Sequence, residues 1–200
     1  MGNNKRIILA SGSPRRIEIM RAHGYEPEIC PADIEENIPE YSNITQVPMY
    51  LALKKALRVS EKTEASDSII IAADTIVYKG DPKGYGEIMG KPSDPADGFR
   101  MLASLRNDEH LVITGVCLID TSSGIKRVFS DTTRVFFGDY TDEELEEYLR
   151  TPEAYDKAGG YAIQGTFGRY VRKFEGDYDN VIGFPWELIS NYLLLLQEDK

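Results

Sequence analysis

LASGSPRRIE, residues Leu9 to Glu18, carries the end of an apolar run into the start of a helical pattern. Ile7 to Ala10 give way to small polar residues, then to Pro14, Arg15 and Arg16, so the stretch predicts a strand feeding the N-terminus of a helix. Pro14 suits the first helical position, where a missing N–H costs nothing. Ser11 or Ser13 can cap the helix. The first-turn N–H groups and the positive end of the helix dipole then favour a phosphate. Arg15 and Arg16 supply countercharge, because guanidinium forks grip phosphate oxygens in pairs. A capped surface helix with two solvated arginines is the other reading of the same residues.

Working outward, the strand Ile7–Ala10 and the helix Pro14–His23, closed near Gly24, make a βα opening. Tyr25 to Pro31 reads as a second short strand, delivering Asp33, Glu35 and Glu36 into a loop. A helix runs from Thr45 through Val59 on an apolar face of Val47, Tyr50, Leu51, Ala56 and Leu57, with Lys54 and Lys55 beside it. Ser68–Ala73, SIIIAA, is unbroken by polar residues and predicts a central strand buried on both faces, ending on Asp74. Tyr78 to Gly90 is glycine-rich and reads as a mobile loop or loose hairpin. Asp94–Leu105 is helical. Leu111–Ile119 and Lys126–Phe137 form two strands joined by a turn at Asp120–Gly124. Thr141, with Glu144 three residues on, opens a helix with a capping box that stops before Pro152. A strand at Tyr170–Glu175 and a helix from Pro185, with Leu188, Ile189, Tyr192, Leu193 and Leu196 on its apolar side, complete a mixed α/β fold. It is not a pure doubly wound sheet.

The 200 residues are 42% apolar and 28% charged, which suffices for one domain with a sizeable core. A formal charge of −10 argues against general binding of nucleic acid or anionic membrane, which needs extended basic surface. Any phosphate ligand is met locally, and a carboxylate-bound divalent cation would turn acidic surroundings into a phosphate site. Cys30 and Cys117 share no framework spacing and read as reduced, buried thiols. With neither a signal peptide nor a membrane-length apolar run, a cytoplasmic location is expected.

Asp74 closes an apolar strand, where open α/β sheets present ligand-binding side chains. It can bind a metal, take a proton from an attacking water, or cap a turn through Thr75. Glu35 and Glu36 form a second acidic element that, with Asp74, would complete a magnesium or manganese site; solvated loop acids are the plainer reading. Lys91, between Gly90 and Pro92, is held to stabilise developing phosphate charge, whereas Lys55 reads either as a phosphate ligand or as a solvated helix residue. In DKAGGYAIQGTFG, Asp156 to Gly168, the Gln164 amide can hydrogen-bond a base edge while glycines admit the ligand; a tight turn is the alternative. His23 and His110 lack a zinc spacing, and GxGxxG, GxxxxGK[ST] and GxSxG are all missing.

SGSPRR (Ser11–Arg16), Glu35–Glu36, LKKA around Lys55, ADTIV (Ala73–Val77), GKP (Gly90–Pro92), HLVITGV and YDKAGGYAIQG (Tyr155–Gly165) stand in the order in which the Maf family of nucleoside triphosphate pyrophosphatases carries them. The chain resembles that family over most of its length, and AGGYAIQG resembles the branch acting on dTTP and UTP rather than 7-methyl-GTP. The resemblance implies an elongated two-lobed fold of the inosine-triphosphatase type with a central cleft, often a homodimer. It also implies hydrolysis of a nucleoside triphosphate to monophosphate and pyrophosphate. Asp74 would be the proton acceptor. Glu36, with Glu35 and Asp74, would hold a divalent metal such as Mg2+ or Mn2+, and Ser11, Ser13, Arg15, Arg16, Lys55 and Lys91 would bind phosphates. Arg15, Thr75 and Gln164 fall at the branch's specificity positions. The stretch Lys79–Glu87 is longer than in some family members and bears on substrate preference. A modified-purine triphosphatase, and a silent nucleotide-sensing protein working through a partner, remain alternative functions.

Overall fold

The computed structural model describes residues 5–38, 40, 43–63, 66–81 and 85–198. The chain forms two compact units. The first takes in residues 1–74, 114–131 and 183–200. Its strands β1 (Arg6–Leu9) and β2 (Glu28–Ile29) are parallel, and β1 is also parallel to the start of β3 (Ser68–Gly80). Helix α1 (Pro14–Ala22) follows β1, as the opening stretch predicts, and α2 (Gln46–Lys62) precedes β3.

Alternation along β3 sorts this unit into two cores. Ile69, Ile71 and Ala73 pack with Met20 of α1 and with Ile189, Leu193 and Leu196 of the C-terminal helix, Trp186–Glu198. Ile70 and Ala72 face the other way, against Ala52, Ala56 and Val59 of α2. Helix α2 keeps part of the expected face: Val47, Leu51 and Ala56 are buried, joined by Ala52 against the strands, whereas Tyr50 and Leu57 are exposed. Close approach is enforced at Gly115 in a later strand, where a Cβ would lie 2.2 Å from the Pro48 carbonyl carbon.

The second unit takes in residues 75–113 and 132–182. Strand β3 does not end at Asp74 but runs on to Gly80, then turns back through the antiparallel β4 (Gly86–Met89). Of the expected mobile loop or loose hairpin, the hairpin is what forms, and its ladder is tight: a Cβ on Gly80 would meet the Gly86 Cα at 2.5 Å. The middle of the long Lys79–Glu87 stretch, 82–84, lies outside the described residues. Helix α3 (Pro95–Leu105) is capped by Asp94, which accepts from the Asp97 N–H at 2.9 Å. Strands β5 (Glu109–Asp120) and β6 (Lys126–Phe137) follow, then α4 (Asp142–Leu149) with the expected capping box between Thr141 and Glu144. Strand β7 (Val171–Glu175) pairs antiparallel with β6. The short helix α5 (Tyr178–Ile182), not foreseen, precedes α6 (Trp186–Glu198). Met101, Leu102, Leu105, Val135, Phe137 and Tyr161 are among the residues of one aromatic-rich core.

The described strands make one seven-stranded mixed sheet in the order β2-β1-β3-β5-β6-β7, with β4 paired to β3. With six α-helices among the described residues, this is the mixed α/β fold expected. No described helix is long and apolar enough to cross a membrane. Both cysteines are free: Cys117 is buried, and burial pushes its thiol up to about 12, whereas Cys30 is only half-buried.

Candidate functional site

Asp74 is the next residue after Ile70 and Ala72 on the α2-facing side of β3. Helix α2 meets it there with Lys55, one turn beyond the buried Leu51 and next to Ala56. Lys55 Nζ donates to Asp74 Oδ1 at 2.6 Å and lies 2.7 Å from Glu36 Oε1. The lysine and aspartate side chains retain only 14% and 10% exposure, while Glu36 keeps 56%. Lys55 is therefore a held ammonium between two carboxylates, not a solvated helix residue. Its neighbour Lys54 donates to the Glu35 carbonyl oxygen at 2.6 Å, so adjacent lysines fix both the backbone and the side chain of the acidic loop. The Glu35 carboxylate itself accepts from Asn37 Nδ2 at 3.2 Å.

The two arginines of the opening motif divide their work. Arg16 reaches inward: Nε donates to the Gly183 carbonyl at 2.9 Å, and Nη1 to the Ala73 carbonyl at 2.8 Å and to Ser11 Oγ at 3.2 Å. It joins the turn after β1, the residue before Asp74 and the segment leading into α6. Burial draws its guanidinium down to about 10, leaving it cationic at neutral pH. Arg15 is half-buried. Ser11 Oγ also accepts from the Ser13 N–H at 3.2 Å, holding the turn. Ser13 occupies the N-cap position, but its side chain makes no capping hydrogen bond. The helix N-terminus is thus closed neither by its own serine nor by an acidic first turn.

Burial raises the Asp74 pKa above the ordinary carboxylate value, and Glu36 adds to this, while Lys55 and Arg16 oppose it. The result is a more basic carboxylate than a solvated aspartate, with cations beside it. Among the described residues no group of three or more His, Cys, Asp or Glu side chains is arranged to hold a metal ion. Glu36 and Asp74 nonetheless converge on one point, which suits a cation that takes one or two carboxylates and completes its shell with phosphate oxygens and water.

The remaining candidates belong to the second unit. Thr75 follows Asp74 in β3, so its side chain leaves the opposite face of the strand. Lys91 is exposed on a fixed backbone: Pro92 is buried, and the Gly90 carbonyl accepts from the Gly159 N–H at 3.0 Å. Gln164 is exposed in a turn closed by the Gly165 N–H to the Ala162 carbonyl at 3.0 Å. The surrounding glycines have structural work: Gly159 and Gly160 adopt φ of 73° and 75°, and a Cβ on Gly168 would meet the Ile163 carbonyl oxygen at 2.1 Å. Gly165 is approached by Glu153, whose carboxylate accepts from Thr166 N–H and Oγ. The glycines first expected to admit a ligand are packed against protein: Gly159 against Val77, Gly160 against Pro92, Gly165 against Glu153 and Gly168 against Ile163.

Sequence reasoning passed over the inward role of Arg16 and a buried pair, His110 and Tyr161. The signal for Lys55 was its spacing, four residues after Leu51 and one before Ala56 on the buried stripe. A backbone-directed arginine leaves no such signal.

The sequence model of the family described as Maf-like protein matches residues 6–196. A protein from Ruminiclostridium cellulolyticum named dTTP/UTP pyrophosphatase is 40% identical over 97% of both chains. Another of that name, from Alkaliphilus oremlandii, is 42% identical over 90% of this chain and 91% of its own. A third, from Bdellovibrio bacteriovorus, is 35% identical over 94% and 96%. The match takes in SGSPRR, the acidic loop, the lysine helix, Asp74 and the Gln164 turn in one alignment-length span, and so the chain belongs to the Maf-like protein family.

Proposed function

We propose that this chain is a nucleoside triphosphate pyrophosphatase, hydrolysing dTTP and UTP to the monophosphate and pyrophosphate as one domain. The observation that carries this reading is the buried Asp74 carboxylate, raised in basicity yet flanked by Lys55 and Arg16. Such a group takes a proton from a water attacking the α-phosphorus. The relatives' shared name supplies the substrate class.

Asp74 accepts the proton, and Lys55 keeps it ionised between turnovers and fixes its orientation toward Glu36. Ser11, Ser13 and the open N-terminus of α1, with Arg15 and Lys91, are assigned to the phosphate chain. The phosphate role expected for Arg16 and Lys55 is then electrostatic, since both spend donors on the protein. Arg15, Thr75 and Gln164 are assigned to substrate preference. Glu36, with Asp74 and Glu35 as further oxygen donors, would hold Mg2+ or Mn2+, and that ion when bound would neutralise phosphate charge. The reading places the enzyme in the cytoplasm, where its substrates are, and includes the homodimer.

The test is product analysis with magnesium or manganese and UTP, dTTP, CTP, GTP or 7-methyl-GTP. UTP and dTTP going to monophosphate and pyrophosphate is the expected result. Preference for 7-methyl-GTP, or release of diphosphate and orthophosphate, contradicts the reading.

A further inference from the structure

Gln164 is exposed, and an exposed amide discriminates between bases only if its backbone is held still. What holds it is three residues earlier. Tyr161 is buried, its ring edge-on to Phe137 at 4.9 Å and to His110 at 5.4 Å, and its hydroxyl lies 2.7 Å from His110 Nε2. His110 is also buried and stacks on Phe137 at 5.5 Å. Its other ring nitrogen, Nδ1, has no hydrogen-bond partner among the described residues. A buried polar atom left unmatched costs stability. A phenylalanine at position 110 would fill similar space without that cost, so the imidazole is kept for what Nε2 does. The same segment has two further ties, from the Tyr148 hydroxyl to the Gly160 carbonyl at 3.1 Å and from the Gly159 N–H to the Gly90 carbonyl. Both lie before Tyr161, and a third, from the Thr166 N–H and Oγ to the Glu153 carboxylate, lies beyond Gln164. Among the described residues, the His110 bond is the side-chain hydrogen bond that anchors Tyr161 itself, from which the Gln164 turn departs.

We propose that His110 and Tyr161 are a specificity-positioning pair: their hydrogen bond fixes the segment from Tyr161 to Gly165 and so orients the Gln164 amide toward the pyrimidine of the substrate. The proposal rests on the reading of Gln164 as the base-recognising residue. Neither member of the pair touches substrate. The backbone of the turn sets where the Gln164 amide can reach, so a displaced turn takes its donor and acceptor out of register with a base edge.

The experiment is steady-state kinetics of the full chain on UTP and GTP, comparing the parent with Gln164→Ala, Tyr161→Phe and His110→Gln. Tyr161→Phe keeps the ring and removes the hydroxyl. It is expected to raise KM for UTP by about tenfold, the loss from one hydrogen bond, while kcat for UTP and kcat/KM for GTP stay within about threefold. Gln164→Ala gives the same pattern. His110→Gln, which retains a partner for the hydroxyl, falls between parent and Tyr161→Phe, and it carries the test should Tyr161→Phe fail to fold. Equal losses on UTP and GTP in Tyr161→Phe reduce the pair to a structural role and overturn the proposal. Selectivity lost in Gln164→Ala but kept in Tyr161→Phe and His110→Gln overturns the proposal and leaves base recognition by Gln164 standing. Selectivity kept in all three overturns that recognition, and the proposal with it.

Discussion

Replacing Lys55 by methionine removes one charge from a pair whose side chains are 14% and 10% exposed, and it preserves most of the volume. Asp74 would then carry a buried negative charge with Arg16 as its remaining cationic neighbour. Breaking a buried ion pair from one side costs about 3–5 kcal/mol, and residual exposure with the help of Arg16 places this site at the lower end, about 3 kcal/mol. The Lys55–Glu36 contact adds little, because Glu36 is 56% exposed and such pairs contribute about 0–1 kcal/mol. For a chain of this size, about 3 kcal/mol lowers Tm by roughly 6–12 °C. Trp186 is the single tryptophan and packs in the core of the same unit, so its fluorescence follows the unfolding of that unit. Adding Asp74→Asn to Lys55→Met removes the stranded charge and restores about 2 kcal/mol, a coupling that a double-mutant cycle reads directly. A Lys55→Met variant as stable as the parent, or strict additivity in the cycle, would refute the buried bridge.

Three other outcomes follow from the same structure. His110 is held neutral by burial, with its pKa drawn down from 6.5 to about 3, so the unfolded chain binds a proton that the native state refuses. Stability contributed by this group is complete above pH 6.5 and is lost as pH falls toward 3, with about 2 kcal/mol gone by pH 5. Urea titrations at pH 7.5 and 5 measure it, and His110→Gln should flatten the difference. Gly115→Ala drives a methyl group into the Pro48–Met49 backbone and should cost about 3 kcal/mol; unchanged thermal unfolding would show that α2 does not press on that strand. Arg16→Lys cannot reproduce guanidinium bonds to both the Ala73 and Gly183 carbonyls, so it should lower stability by about 1–3 kcal/mol in a denaturant titration, with parental stability as the contrary result.

Much of the fold was legible because local signals agreed with it. Lys126–Phe137 has the same limits in sequence and structure, and the Thr141–Glu144 capping box forms with both of its bonds. The reading failed where distant residues reverse a local preference. An aspartate after an apolar run reads as the end of a strand, yet β3 passes through Asp74 because Lys55, from a helix nineteen residues earlier, supplies its countercharge. Glycines at 80 and 86 suggested slack, but they permit a closer ladder. In the candidate site, residue types were readable and partners were not. Arg15 and Arg16 are identical letters, and only the fold shows that Arg16 turns toward the Ala73 and Gly183 carbonyls. Val47, Leu51 and Ala56 were read as core and are buried, but Tyr50 and Leu57, at the margins of that stripe, are exposed, since α2 packs on the sheet through small Ala52 and Ala56.

The most direct test is the turnover of UTP by Asp74→Asn, with pyrophosphate release measured beside the parent and folding verified through Trp186 fluorescence. Asparagine keeps the shape of the side chain and removes the proton acceptor, and loss of a general base lowers rates by about 10²–10⁴. The account predicts a folded variant whose kcat falls by at least about a hundredfold. A folded variant releasing pyrophosphate at the parental rate would contradict it.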